Sequence, residues 1–230
     1  MLRLTGGQWG GRKLHSPKED GPHAGKTRPT QAKLRQALFN TLQFEIEGAR
    51  VLDLFAGAGT LGFEALSRGA ASVVFVESAR PVCQLIERNV LELGVKSQVR
   101  VISEKVEKAG PLLEASGPFD VVLVDPPYLL GVENDLLAGA WWNWSVLLAP
   151  EAKVVLEWGK TKSRQTELPD RVELPGKGQS ENGGALVKIR EKTYGDSMLT
   201  TYRREVSADH PTGDLPVAEK SAREEPSHDS

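Results

Sequence analysis

Between residues 50 and 158, short runs of consecutive apolar residues alternate with longer stretches in which apolar positions recur every three or four residues. The runs at 50–54, 73–77, 99–102, 119–124 and 153–158 have the length and density of buried strands. The stretches near 60–68, 79–93, 104–115 and 133–148 carry the helical period. Strands that alternate with helices in this way predict a parallel sheet covered on both faces. In the last of these stretches Leu137, Trp141, Trp144 and Leu148 fall on one stripe and are expected in the core, whereas Trp142 points off it and is expected to be exposed. Glu157 closes the fifth run, where a surface carboxylate is expected, and Glu64 lies within the first helical stretch.

The pattern changes at both ends of the chain. Leu2 to Thr5 and Arg12 to Leu14 read as two short strands around a glycine turn. Residues 15–27 form a Pro-, Gly- and Lys-rich loop. Thr30 then caps an amphipathic helix running to about Gln43, with Leu34, Leu38 and Leu42 on its apolar side. Toward the other end, Ala185 to Arg190 and Met198 to Arg203 flank the polar turn Tyr194-Gly195-Asp196 and predict a hairpin. Gly176 to Gly184 is a polar loop. The organisation expected is an extension over 1–45, a catalytic domain over 46–204 and a disordered tail over 205–230.

Charge sharpens that division. The 230 residues carry a formal net charge of −2, yet residues 1–35 hold eight Lys or Arg against two acids and residues 205–230 hold seven acids against two bases. An acidic tail thus masks a basic head, the footprint expected of phosphate-backbone binding. No apolar run reaches the roughly 20 residues of a membrane-crossing helix, and the N-terminus lacks a secretory apolar region, so a cytoplasmic protein is expected. Cys83 is the only cysteine and the four histidines are scattered. No metal site is expected, and Cys83 reads as a small packing residue.

The candidate chemistry centres on residues 50–62, where a strand ending in Asp53 passes through a glycine-rich turn into a helix. Gly57-x-Gly59-x-x-Gly62, with Glu77 about twenty residues further on, matches a dinucleotide fingerprint and on its own suggests NAD. Asp53 argues otherwise, because a pyrophosphate gains nothing from another negative charge, whereas a ligand with an amino group does. S-adenosylmethionine (SAM) is such a ligand. A second strand runs into Asp125-Pro126-Pro127-Tyr128, a rigid aromatic-tipped turn with no role in hydride transfer. Asp53, Glu77 and Asp125 all lie at strand ends, so they should share one crevice.

These two motifs resemble those of class I SAM-dependent methyltransferases that modify exocyclic amino groups of nucleobases. The flanks narrow the resemblance. Gly7-Gln8-Trp9-x-Gly11-Arg12-Lys13-Leu14, Thr27-Arg28-Pro29-Thr30, Arg35-x-Ala37-Leu38-Phe39-Asn40, Gly62-x-Glu64-Ala65-Leu66-Ser67-Arg68-Gly69-Ala70 and Tyr194-Gly195-Asp196-Ser197 are similar to the RsmD-type family, bacterial enzymes that methylate guanine N2 in 16S ribosomal RNA. The resemblance implies a Rossmann-like class I methyltransferase, α/β, with a seven-stranded mixed sheet, helices on both faces and an antiparallel C-terminal hairpin. It implies SAM held by Asp53, Phe55, Ala56, Gly57, Gly59, Glu77 and Asp125, with Asp125, Pro126, Pro127 and Tyr128 presenting the target base. Trp9, Arg12, Lys13, Lys26, Arg28, Lys33 and Arg35 would contact RNA. The third strand ends in Ser103-Glu104-Lys105-Val106, which departs from the family pattern and leaves the adenine pocket unassigned. The partner expected is 16S rRNA in an assembling small ribosomal subunit, met by a monomer. An adenine-N6 methyltransferase, an NAD-dependent oxidoreductase and a non-catalytic RNA-binding assembly factor are the alternatives.

Overall fold

The structure is a computed structural model that describes residues 2–17, 29–127, 132–159, 167–176 and 183–206. The elements in chain order are β1 (Leu2–Arg3), β2 (Lys13–Leu14), α1 (Pro29–Thr41), β3 (Arg50–Leu54), α2 (Thr60–Ser67), β4 (Ser72–Glu77), α3 (Arg80–Leu93) and β5 (Val99–Ser103). They continue with α4 (Gly110–Glu114), β6 (Phe119–Val124), α5 (Glu133–Leu137), α6 (Trp144–Leu147), β7 (Leu148–Gly159), β8 (Arg171–Glu173), β9 (Ala185–Tyr194) and β10 (Ser197–Glu205). β1 and β2 form a separate antiparallel pair, and the main sheet has the order β5-β4-β3-β6-β7-β10-β9-β8.

The main sheet has eight strands, not the expected seven. The added strand is β8, which pairs antiparallel with Ala185, Leu186 and Val187 of β9. The first five strands in that order are mutually parallel, and β10 turns back against β7. Two apolar layers cover the sheet. Val51, Val73, Phe75, Val121, Leu123, Val155 and Leu199 point to the layer that holds Leu38 and Phe39 of α1 and Phe63 of α2. Leu52, Leu54, Val122, Val124 and Leu156 point to the opposite layer with Trp142 and Trp144. This period-two division explains why the parallel strands read as unbroken apolar runs.

Two expected helices are shorter than their patterns. Over 104–115 a single 3-10 turn (Val106–Lys108) is followed by α4, whose start is fixed by Pro111, a residue suited to a first turn because it needs no partner for an N–H. The 133–148 stretch breaks after α5, where Gly139 adopts φ +70°, and resumes at α6, where Asn143 accepts a 2.9 Å hydrogen bond from the Ser145 amide. The break rotates Trp142 inward. It is 6% exposed, contrary to expectation, and meets Trp144 edge-on at 5.5 Å, while the Trp144 indole donates to the Leu136 carbonyl at 2.8 Å. Cys83 is buried, its thiol donates to the Glu77 carbonyl, and burial raises its pKa.

The N-terminal extension shares its core with the sheet. Leu4, Leu14, Leu34, Leu38, Leu42 and Ile46 lie in the same apolar layer as Val51 and Phe75. His15, expected to open a loop, is docked: its amide donates to Asn89 Oδ1 and its carbonyl accepts from Asn89 Nδ2. The loop beyond it, residues 177–182 and the tail from residue 207 fall outside the described residues.

Candidate active site

The strand order reverses between β3 and β6, and a crevice opens there at the carboxyl ends of the parallel strands. Alternation places Asp53 on the same face as Val51, Glu77 with Phe75, Asp125 with Leu123 and Glu157 with Val155. Four carboxylates on four neighbouring strands, β4, β3, β6 and β7, therefore line one rim.

Asp53 is 1% exposed and its Oδ2 accepts a 2.9 Å hydrogen bond from the Gly62 amide. Burial pushes its pKa up to about 8. The Gly62 amide opposes that rise and the charge of Glu77 adds to it. Glu77 takes the Gly57 amide on Oε2 at 2.9 Å and the Ala79 amide on Oε1 at 2.8 Å. It thus ties the glycine turn to the start of α3. Each carboxylate oxygen keeps a second lone pair, so the ribose hydroxyls of a nucleoside can still be accepted.

The turn between β3 and α2 is shaped by distinct glycine requirements. A Cβ on Gly57, at φ +53°, would meet nothing within 4 Å, so this residue exposes bare backbone to the crevice. A Cβ on Gly62 would stand 2.2 Å from the Phe75 ring, so this glycine serves the packing of α2 on β4. Gly59 combines φ +76° with a Cβ position 2.9 Å from the Phe63 ring. Phe55 takes φ 59°, rare for a residue with a side chain, and the Ala56 amide donates to the Val76 carbonyl at 2.9 Å. These features fit SAM. Bare backbone at Gly57 admits a methionyl chain, and Asp53 and Glu77 supply acceptors for an ammonium group and ribose hydroxyls.

Asp125 is half-buried and follows β6 directly, ahead of buried Pro126 and exposed Pro127. Burial raises its pKa well above the ordinary carboxylate range, and the charges of Glu157 and Asp53 raise it further. Among the described residues no cationic side chain forms an ion pair with Asp53 or Asp125. Glu157 was expected at the surface and is instead 8% exposed, because Val154, Val155 and Leu156 carry it into the sheet beside Asp125. The period-two pattern of β7 was the sequence signal for it. Among the described residues no group of His, Cys, Asp and Glu could hold a metal ion. Tyr128, Lys26 and Arg28 lie outside the described residues. In the unassigned third-strand end, Val106 is buried and Glu104 accepts from its neighbour's amide, the backbone N–H of Lys105.

The other basic-head residues are dispersed. Lys13 and Lys33 are exposed. Arg12 is exposed too and donates to the Glu92 carbonyl at 2.8 Å. Trp9 is half-buried, and its amide donates to Ser67 Oγ. Ser67 and Glu92 belong to the last turns of α2 and α3, so Trp9 and Arg12 are anchored at the sheet end opposite the carboxylates. Arg35 is 8% exposed, donates to the Arg3 carbonyl at 2.7 Å and stands 3.6 Å from Glu64. Its guanidinium is a strut inside the protein, which removes it from the expected RNA contacts.

A family model described as "Conserved hypothetical protein 95" matches residues 2–203. The chain is 38% identical over 217 residues to the ribosomal RNA small subunit methyltransferase D of Escherichia coli K12, covering 91% of this chain and 93% of that protein. The protein of the same name from Haemophilus influenzae is 34% identical over 163 residues, covering 70% and 80%. Among solved structures, a hypothetical protein of Thermus thermophilus superposes with a TM-score of 0.64 at 28% identity, covering 90% of this chain and all of that one.

Proposed function

The chain belongs to the conserved hypothetical protein 95 family, the RsmD-type methyltransferases, and from that premise we propose that it transfers a methyl group from SAM to N2 of a guanine in 16S rRNA. The observation that carries this reading is the row of four carboxylates at the switch point, with no cationic side chain paired to Asp53 or Asp125 among the described residues. Such a rim attracts a ligand bearing ammonium and sulfonium charges and repels the pyrophosphate of NAD. Bound there, SAM supplies an electrophilic methyl group on sulfur.

The chain's own part is to present the nucleophile. An exocyclic amine conjugated to its ring is a poor nucleophile, and acceptors that hold its hydrogens favour a more pyramidal nitrogen. The Asp125 carboxylate and the Pro126 carbonyl supply them, and proline leaves no backbone N–H to compete. The raised proton affinity of Asp125 suits it to take up the proton that N2 releases. Tyr128 would stack on the extruded base. Much of the rate gain is then orientation.

The substrate form in this reading is the assembling small subunit, met in the cytoplasm by a single copy of the chain. No helix among the described residues is long and apolar enough to cross a membrane. The test is incubation with labelled SAM and, separately, small subunits lacking native methylation, naked 16S rRNA and duplex DNA, followed by nucleoside mass spectrometry. N2-methylguanosine from the ribosomal samples is expected. Methyladenine from DNA would overturn the proposed acceptor, and no product from any sample would overturn the reaction.

A further inference from the structure

Resting on that reading, we propose that the upper half of β9, beside α1, grips the phosphate backbone of the RNA strand leading to the target base. Arg190, Lys192 and Tyr194 line a shallow groove with Leu38, Thr41 and Leu42 from α1. Arg190 and Lys192 are exposed, and neither side chain has a hydrogen bond or ion pair among the described residues. Tyr194 is half-buried against the α1-side core, with its ring at the groove wall.

The pairing register sets where this groove lies. Glu157 pairs with Leu199, and Leu199 pairs with Lys192. Val124 pairs with Leu156, so Asp125 and Glu157 stand level one residue further on. Asp125 and Lys192 thus lie in one row across the sheet, three strand spacings or roughly 14 Å apart. Both point to the α1 face. Trp9 and Arg12, by contrast, are held at the far end of the sheet.

A bulge sorts the charges. The β9–β10 register shifts between Thr201 and Tyr202, so that Thr201 faces Arg190 while Tyr202 faces Lys188 and Ile189 is left over. An extra residue in one strand re-aims the side chains on either side of it. Lys188 turns to the opposite face, where it pairs with Asp170 at 2.8 Å and donates to the Leu168 carbonyl. Glu191 also points to that opposite face and accepts from Thr200 Oγ1 at 2.9 Å. Two cations remain at the groove, and among the described residues no acid is paired with either side chain. Lower on the same face, Arg171 and Arg203 are already paired with Glu173, Glu205 and Glu151. β8 covers only residues 185–187 of β9, so beyond them the outer edge has no strand neighbour among the described residues. That edge can add backbone donors to the side-chain charges.

The test compares the full-length wild type, Arg190→Gln with Lys192→Gln, and Arg171→Gln with Arg203→Gln. Each is titrated with unmethylated 16S rRNA over a salt series and assayed for methyl transfer and SAM affinity. Removing two phosphate contacts should lower the slope of log K against log salt by about 1.5. The KM for RNA should rise roughly ten-fold, with kcat at saturating RNA and the SAM Kd unchanged. The Arg171/Arg203 pair should leave slope and KM at wild-type values. An unchanged slope in the Arg190/Lys192 variant would overturn the proposal, above all if that variant self-associates, since basic residues on a strand edge also guard against edge-to-edge pairing. A wild type that binds RNA and loses the same slope on substitution, yet methylates no guanine, would leave the groove standing and overturn the reaction instead.

Discussion

Two buried carboxylates on the same side of the sheet, Glu64 and Asp53, have opposite surroundings. Glu64 is 0% exposed, and its oxygens accept from the Thr5 amide and the Thr5 hydroxyl at 2.7 Å each and from Arg68 Nε at 2.9 Å, with Arg35 at 3.6 Å. Asp53 is buried to the same degree but has a single amide at 2.9 Å and an adjoining carboxylate, Glu77. The first arrangement clamps β1, α1 and α2 together. The second is kept protonated by burial, with no cation beside it, until a cationic ligand arrives to stabilise its charged form. Depth of burial therefore does not mark the site. What marks it is burial without a counter-charge, repeated on adjacent strands.

Removing the compensated acid should have the largest effect on the fold. Glu64→Ala strands Arg35 and the Thr5 amide and should cost about 3–5 kcal/mol, read as a drop in the denaturant midpoint. A loss below about 1 kcal/mol would show that the clamp is not what holds the extension. At the uncompensated end, Asp125→Ala should leave stability nearly unchanged and lower the methyl-transfer rate roughly 10²–10⁴-fold, with the SAM Kd within about three-fold of wild type. Single-turnover rates alongside calorimetric titration separate the two, and full activity would remove Asp125 from the chemistry.

The same contrast separates what was legible in the chain from what was not. The parallel core, the glycine turn and the Asp125-Pro126-Pro127 corner follow from local pattern, because each depends on residues adjacent in sequence. The role of Glu64 was not legible, since its partners Thr5 and Arg35 lie 59 and 29 positions away and only tertiary packing brings them together. Arg35 was misjudged for that reason: a positive charge in a basic segment does not reveal that its head group is enclosed. Trp142 was misplaced because Gly139 ends the helical period on which its direction was read. The eighth strand, Arg171–Glu173, is three residues long and pairs across a loop, too short to register as a pattern.

Glu77 lies between the two extremes, since both its oxygens hold amides while it also faces the crevice. Glu77→Ala should raise the SAM Kd by roughly ten-fold or more, the loss expected for hydrogen bonds to a charged acceptor, and should loosen the Gly57 turn. Hydrogen exchange at the Gly57 and Ala79 amides reports the loosening. Faster exchange with an unchanged Kd would make Glu77 a brace alone and assign the ribose to another group.

The smallest effect expected is a slope. In the folded chain Asp53 keeps its proton up to about pH 8, against 3.8 for an ordinary aspartate, because burial penalises the charged form more than the Gly62 amide relieves it. Between those two values the folded state binds more protons than the unfolded state, so this residue's contribution to stability falls as pH rises through the window and levels off above about 8. Asp53→Asn keeps an oxygen for the Gly62 amide and has no proton to lose. Its stability should match that of the wild type near pH 4 and exceed it by a margin that grows steadily toward pH 8, measured by urea midpoints across the range. Saturating SAM should then reverse the ranking, because the ligand stabilises only the chain that binds it tightly. If the two proteins instead kept a constant difference from pH 4 to 8, Asp53 would be ionised throughout, already compensated in the folded chain, and the contrast with Glu64 would disappear.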